Sequence, residues 1–402
     1  IVRETLQIFK EKGLHMRSVF LNAKEKMCFT GDCNCEPSLC KYAEGYYEKL
    51  PSAIEEIVKD EIFTREQIIS VAETFKICPF EFSLDLSLYC DMVVCDYNYV
   101  FDPAVYLRRY FLGGKEKYLF LIDEAHNLVN RGRDMYSASI DKKTVLNLKR
   151  EMKHKDKNLY KFFDDINKQF ISWNKELKEL NKSMLLLNDI PECFNLWKEN
   201  FSGIAEEFSG NNTPSHEFKN FYYDFQHFKR IMDLSSEDHR IFVKSVYQNL
   251  FWKIFCLNPG KELAKRFKRS HSSILFSGTL SPDEYFRDHL GLKEETEYLS
   301  LPSPFPPENS LYLHIPGIST TYKRREEFYD KIAEHIKRVI SKKKGNYLCF
   351  FPSYKFLDDV LVRFNLPEDC CIFIQSKNMT EIERDEFLKN FIEGLRAGKI
   401  PF

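Results

Sequence analysis

The chain is 402 residues long, enough for two or three domains that each bury a core. Its 59 basic and 60 acidic residues leave a formal net charge of −1, which neither announces nor excludes nucleic acid, because a strand can be held by a local basic lining. No run of about 18 apolar residues and no cleavable signal pattern occurs, which sets aside a membrane protein and a secreted one. Twelve cysteines in a chain this long and charged suit reduced thiols with a metal or cluster site better than a disulfide framework, and imply a cytoplasmic setting. The chain opens on Ile1 rather than Met and closes at Phe402 on a helical pattern without a cap, so both ends are expected to be cut from something longer.

In chain order, Val2–Lys12 is predicted to be an amphipathic helix ended by Gly13, and Arg17–Ala23 a short strand. The pattern breaks from Lys24 to about Lys76, Cys-rich at first and then helical from Tyr42 to about Asp60. Phe80–Tyr89 is expected as helix, Met92–Asp96 as a buried strand and Tyr118–Ile122 as a short continuous apolar strand. From about Asp141 to Val246 the chain turns into long Lys/Glu/Asn-rich helical stretches studded with Phe and Tyr, as expected of a helical domain inserted into an α/β one. Strand character returns at Ser273–Phe276, a Pro-rich linker follows at Leu301–Pro307, and then strands at Ser310–Ile315, Asn346–Phe351 and Cys371–Gln375 alternate with helices. That alternation predicts a parallel sheet covered on both faces.

The strand at Tyr118–Ile122 ends directly in Asp123-Glu124-Ala125-His126. P-loop ATPases place two adjacent carboxylates at such a strand end, the first for Mg²⁺ and the second for the attacking water. On that reading Asp123 takes the metal, Glu124 the water, and His126 links the site to its neighbour. The plain alternative is an acidic turn at a helix N-terminus, where carboxylates are favoured anyway. Ser277-Gly278-Thr279 admits two readings as well: a relay of hydrogen bonds between sites, or a capping turn before a helix at Asp283.

These residues carry a family resemblance. Phe120–Leu128 resembles the DEAH box of superfamily-two helicases, and Asp96–Pro103 is similar to the stretch that the XPD/DinG family carries ahead of it. Ser277–Pro282 resembles that family's motif III, and Ser303-Pro304-Phe305 with Phe350–Tyr354 resembles the entry to its second motor domain. The resemblance runs in order over nearly the whole chain and is thin only in the helical middle; composition and Asn22–Lys26 point to a bacterial DinG-like member.

It implies an α/β fold with RecA-like parallel-sheet motor domains. The expected layout is a first motor domain from residues 1–27, 79–135 and 250–300, an iron–sulfur insertion at 28–78, a helical Arch-like insertion at 136–249, and the opening of a second motor domain at 301–402. It also implies ATP with Mg²⁺ as cofactor, translocation 5′→3′ on single-stranded or forked DNA, and a monomer. No Gly-x-x-x-x-Gly-Lys-Ser/Thr occurs among the 402 residues. By the resemblance that phosphate cradle lies upstream of Val2, and the chain alone is expected to be inactive.

Cys28, Cys35, Cys40 and Cys78 could hold Zn²⁺ or a [4Fe–4S] cluster, and spacing alone leaves both open. Ligands scattered around a small insertion suit a cluster more than a compact zinc knuckle, and the final Cys78-Pro79-Phe80 matches the family's layout. Cys33 is an alternative to Cys35 as the second ligand. The remaining cysteines (Cys90, Cys95, Cys193, Cys256, Cys349, Cys370, Cys371) are expected as small buried hydrophobes. Tyr97, Tyr99, Arg108 and Arg109 are candidate DNA contacts near the motor, with Lys41, Tyr42, Tyr46 and Tyr47 near the cysteines; packing and surface solvation are the alternatives. The rings of Phe218, Phe221, Tyr222, Tyr223, Phe225 and Phe228 are expected to form helical core. Rival functions are a non-catalytic single-stranded DNA-binding protein on the same fold and a zinc-stabilised scaffold.

Overall fold

A computed structural model of the chain describes residues 2–31, 35, 40–111, 118–188, 190–191, 193–211, 214–343, 345–364, 370–377, 379, 381–396 and 400–401. Contacts divide the chain into two compact units, Ile1–Leu299 and Ser300–Phe402.

In the first unit, helix α1 (Val2–Glu11) leads through Gly13, whose φ of 84° suits only glycine comfortably, into strand β1 (Ser18–Phe20). Helices α2 (Lys24–Met27) and α3 (Tyr46–Ile57) precede a two-residue strand β2 (Ile62–Phe63). Helices α4 (Arg65–Phe75) and α5 (Pro79–Leu86) then lead to β3 (Met92–Val94). β1 is the centre of a parallel sheet, with Ser18 opposite both Ile62 and Met92. Val19, Phe63, Ile68 and Phe82 are fully buried beneath it. β2 went unanticipated because two residues are too few to show a period.

α4 starts at a reciprocal cap: Thr64 Oγ1 accepts from the Gln67 amide at 3.4 Å, and Gln67 Oε1 accepts from the Thr64 amide at 2.9 Å. Thr64→Ala removes half of that box and is expected to cost roughly 1 kcal/mol, read as a lower denaturation midpoint by circular dichroism.

Short helices α6 (Asn98–Phe101) and α7 (Arg108–Phe111) precede β4 (Leu119–Ile122) and α8 (His126–Met135). Next come β5 (Ala138–Asp141), α9 (Lys142–Met152), α10 (Lys157–Glu179), β6 (Met184–Leu187), α11 (Cys193–Asn211) and α12 (His216–Leu234). Leu159, Phe163, Ile166, Phe170, Trp173 and Leu177 recur on α10 every three or four residues and are buried. Phe218, Phe221, Phe225, Phe228 and Met232 do the same on α12. The phenylalanines of this stretch are therefore core, as expected, whereas Tyr223 is exposed.

The stretch is not purely helical. Strands β7 (His239–Val246) and β8 (Asn249–Cys256) form a hairpin, and the antiparallel sheet runs β5-β8-β7-β6. The closing pair Val246↔Asn249 leaves a two-residue turn, Tyr247-Gln248, with φ of 46° and 66°. Positive φ at both positions is the hairpin geometry that matches strand twist, and it normally selects Asn-Gly, so Tyr-Gln gave no warning.

Helix α13 (Gly260–Phe267) leads to β9 (Ser272–Leu275), which returns to pair in parallel with β4, and α14 (Asp283–Leu290) follows. The parallel pairs bear out the α/β class. β4 lies within the expected continuous apolar strand, but only one face is covered: Phe120, Ile122 and Leu275 pack on the main core, while Leu119, Leu121 and Ile274 are about 60% exposed or more. Strand side chains alternate, and the described residues cover one side.

In the second unit, helices α15 (Tyr329–Lys342), α16 (Tyr354–Leu361) and α17 (Glu381–Arg396) form where helices were expected. Tyr329, Ala333, Phe356 and Val360 make its core. The expected strands at Ser310–Ile315 and Asn346–Phe351 do not form, and the only strands described there are β10 (Cys370–Cys371) and β11 (Ile400–Pro401). Tyr312 and Phe350 are more than nine-tenths exposed. An isolated apolar run gains no ladder hydrogen bonds until a neighbour pairs with it. Among the described residues, no helix is long and apolar enough to cross a membrane.

Candidate nucleotide site and cysteine pocket

β4 and β9 lie side by side with Ile122 opposite Leu275, so the residues that follow each strand emerge together. Pairing continues beyond the strands: the Phe276 amide donates to the Ile122 carbonyl at 3.0 Å and the Ala125 amide to the Phe276 carbonyl at 3.1 Å. This juxtaposes Asp123-Glu124 and Ser277-Gly278-Thr279, some 150 residues apart in the chain. Ala125, Leu128 and Val129 are buried in the main core and anchor the start of α8.

On this base the side chains meet. His126 Nδ1 lies 2.7 Å from Ser277 Oγ and 3.3 Å from Glu124 Oε2, and Ser277 Oγ is 3.4 Å from Glu124 Oε2. Ser277 Oγ also accepts from the Thr279 amide at 3.2 Å and lies 3.4 Å from Thr279 Oγ1. Asp123 Oδ1 accepts from the Glu124 amide at 2.8 Å. The Glu124 side chain is 60% exposed, leaving a carboxylate accessible from solvent beside a hydroxyl and an imidazole. Such an arrangement can take a proton from a nearby water and pass it along the hydroxyl and imidazole.

The four candidate DNA residues near the motor are distributed differently. Tyr97 donates its hydroxyl to the Asp123 carbonyl, with the Glu124 carbonyl 3.1 Å away. Tyr99 donates to the Asn22 carbonyl at 3.1 Å, and Arg109 pairs with Asp85 at 2.7 Å. Arg108 is exposed and lies 5.7 Å from the Tyr106 ring centroid. The stretch around Tyr97 is tied to α8 by Arg131, which reaches Asp96 Oδ1 at 3.1 Å and Asn98 Oδ1 at 3.3 Å. This link was not foreseen; Asp96 and Asn98 flanking a tyrosine were its only trace in the sequence.

Cys28, Cys35, Cys40 and Cys78 line one small cavity, walled by Phe29, Tyr42 and Pro79 with Lys24 and Thr30. Cys28 follows α2, Cys78 caps α5 and Cys40 is buried. Burial pushes the Cys78 thiol up, an effect partly offset by the Glu81 and Phe80 amides that point at its sulfur. No three His, Cys, Asp or Glu side chains among the described residues are grouped to hold a single metal ion. The donor set is four sulfurs around a shared, largely apolar space, chemistry that suits zinc or an iron–sulfur group alike. Cys33 lies outside the described residues, as do the side chains of Cys193, Cys370 and Cys371. Near the cavity, Lys41 stacks 5.0 Å over Tyr42, Tyr46 is buried with its hydroxyl on Asp85 at 2.8 Å, and Tyr47 is exposed.

The other cysteines divide. Cys256 is buried, Cys90 and Cys95 are half-buried, and burial pushes all three thiols up to about 12, which keeps them protonated and inert. Cys349 was expected to be buried and is exposed, the strand at Asn346–Phe351 to which it would have belonged not having formed.

Residues 10–145 match the DEAD_2 family model. The chain is 25% identical over 357 residues to the ATP-dependent DNA helicase XPD of Sulfolobus acidocaldarius, covering 83% of this chain and 61% of that protein. It is 21% identical to the Fanconi anemia group J protein homolog of Gallus gallus, over 82% of this chain and 33% of that one. A solved XPD helicase structure superposes with a TM-score of 0.50 at 18% identity, covering 99% of this chain and 69% of its own. The chain thus spans about three-fifths or less of the curated relatives it matches.

Proposed function

We propose that this chain, an XPD/DinG-type relative within the superfamily-two helicases, is part of a motor that couples ATP hydrolysis to 5′→3′ movement along single-stranded DNA. The observation that carries the reading is the hydrogen bond between His126 and Ser277, which joins the acidic strand end to the hydroxyl turn at 2.7 Å. Bound Mg²⁺-ATP supplies the phosphoryl group to be transferred. Asp123 holds the metal, Glu124 orients and deprotonates the attacking water, and His126 with Ser277 and Thr279 passes changes at Glu124 to the neighbouring turn. Gly278 leaves that turn without a side chain. Because the 402 residues contain no Gly-x-x-x-x-Gly-Lys-Ser/Thr, the chain alone does not hydrolyse ATP on this reading.

The test uses a longer polypeptide that also carries a phosphate cradle, acting on duplexes with 5′ or 3′ single-stranded tails. The expected result is strand displacement from the 5′-tailed substrate only, with His126→Ala losing displacement while keeping much of its ATP turnover. Displacement from the 3′-tailed substrate alone would refute the polarity, and parallel loss of both activities in the variant would refute the coupling role.

We further propose, on the strength of the cavity they share, that Cys28, Cys35, Cys40 and Cys78 hold a [4Fe–4S] cluster, and that exposed Arg108 is the remaining candidate phosphate contact near the motor. Anaerobically purified protein is expected to contain iron and acid-labile sulfide and to absorb broadly in the visible range. Cys78→Ser should lose most of its iron; a colourless wild type with one zinc per chain would overturn the cluster.

A further inference from the structure

Glu124, the residue assigned to the attacking water, has a backbone φ of 47°. That left-handed conformation costs a residue with a Cβ on the order of 1 kcal/mol or more, and it persists only where surrounding contacts enforce it. Four contacts hold the peptide groups of this turn. Asp123 Oδ1 accepts from the Glu124 amide, the Asn127 amide donates to the Glu124 carbonyl at 2.8 Å, the Phe276 carbonyl accepts from the Ala125 amide, and the Tyr97 hydroxyl donates to the carbonyls of Asp123 and Glu124. The first two belong to the turn itself and the third to the neighbouring strand. Among the described residues, the fourth alone brings a side chain from elsewhere in the chain onto the two peptide groups that set the twist at Glu124.

We infer that Tyr97 is a positioning residue for the nucleotide site, its hydroxyl holding the strained Asp123-Glu124 turn so that the Glu124 carboxylate stays beside Ser277 and His126. This deepens the function proposed above and rests on that reading for its catalytic consequence. The geometry behind it is local. Arg131 fixes Asp96 and Asn98 on either side of Tyr97, so the ring arrives on a backbone that is itself tied to α8, the helix that begins at His126. The half-buried phenol faces two backbone carbonyls, which can only accept, so its hydroxyl is the donor. Without that donor the turn keeps its local bonds and the one to Phe276, and the left-handed conformation that aims the Glu124 side chain is held less tightly.

Tyr97→Phe removes the hydroxyl and keeps the ring. In the 402-residue chain, amide hydrogen exchange over Leu121–Asn127 is expected to rise about tenfold, in line with the loss of one net hydrogen bond, with the rest of the first unit unchanged. Tyr110→Phe, which loses a hydroxyl bonded to Ser87 at 2.7 Å, serves as the control and should leave Leu121–Asn127 as it was. In the longer polypeptide with a phosphate cradle, kcat for ATP should fall about tenfold with KM little changed. Unchanged exchange over Leu121–Asn127, exchange raised throughout the unit, or raised local exchange with unaltered kcat would each overturn the assignment. Wild-type longer protein without ATPase activity would sink the functional reading instead, while the exchange result still decides whether Tyr97 braces the turn.

Discussion

Glu124→Gln, in a polypeptide that supplies the phosphate cradle, is expected to lower kcat for ATP by about two to four orders of magnitude, with KM for ATP changed little. The amide matches the carboxylate in shape, and its oxygen can still accept from Ser277, so the turn and the His126–Ser277 bond should survive. What disappears is the capacity to take a proton from water and the negative charge that orients it. Steady-state turnover with saturating single-stranded DNA checks this. A kcat within about threefold of wild type would mean that Glu124 is only an acidic residue at a turn.

The second large effect concerns stability. Trp252 of β8 is fully buried, with Phe228 at 4.5 Å, Phe194 and Trp173 at 5.4 Å and Trp197 at 6.4 Å between ring centroids. Trp252→Ala is expected to cost about 3–5 kcal/mol, because four aromatic neighbours cannot collapse into the space it leaves. Its indole N–H has no acceptor among the described residues, so Trp252→Phe should cost less than half as much, removing an unpaired donor along with the volume. Exposed Tyr223, changed to Ala, should shift stability by no more than about 0.5 kcal/mol. Urea unfolding followed by the fluorescence of Trp173 and Trp197 separates these cases; equal losses for Trp252→Ala and Tyr223→Ala would contradict the core assignment.

The sequence was most readable where chemistry and local pattern coincide. An apolar run ending in Asp-Glu-Ala-His and another ending in Ser-Gly-Thr are each visible within ten residues. That β4 and β9 pair is a fact about a fold in which some 150 residues intervene, and it appears only in the register Ile122↔Leu275. The regular Phe spacing of α12 reads directly as a buried stripe, whereas the β7–β8 hairpin turns on Tyr247-Gln248, a pair that usually avoids positive φ. Tyr97 shows the limit most clearly. It was a candidate DNA contact near the motor, and that its hydroxyl lies on the carbonyls of the acidic turn is visible only in the fold. In the second unit the helices follow their own periodicity, but the expected strands depend on partners, and Leu348 and Phe350 stay exposed.

The most direct test of the account compares DNA-stimulated ATP hydrolysis by the 402-residue chain with that of a longer polypeptide carrying a phosphate cradle. The account predicts no turnover above background from the chain and DNA-dependent turnover from the longer protein, abolished by Asp123→Ala. Substantial DNA-stimulated hydrolysis by the chain alone, or none by the longer protein, would contradict it.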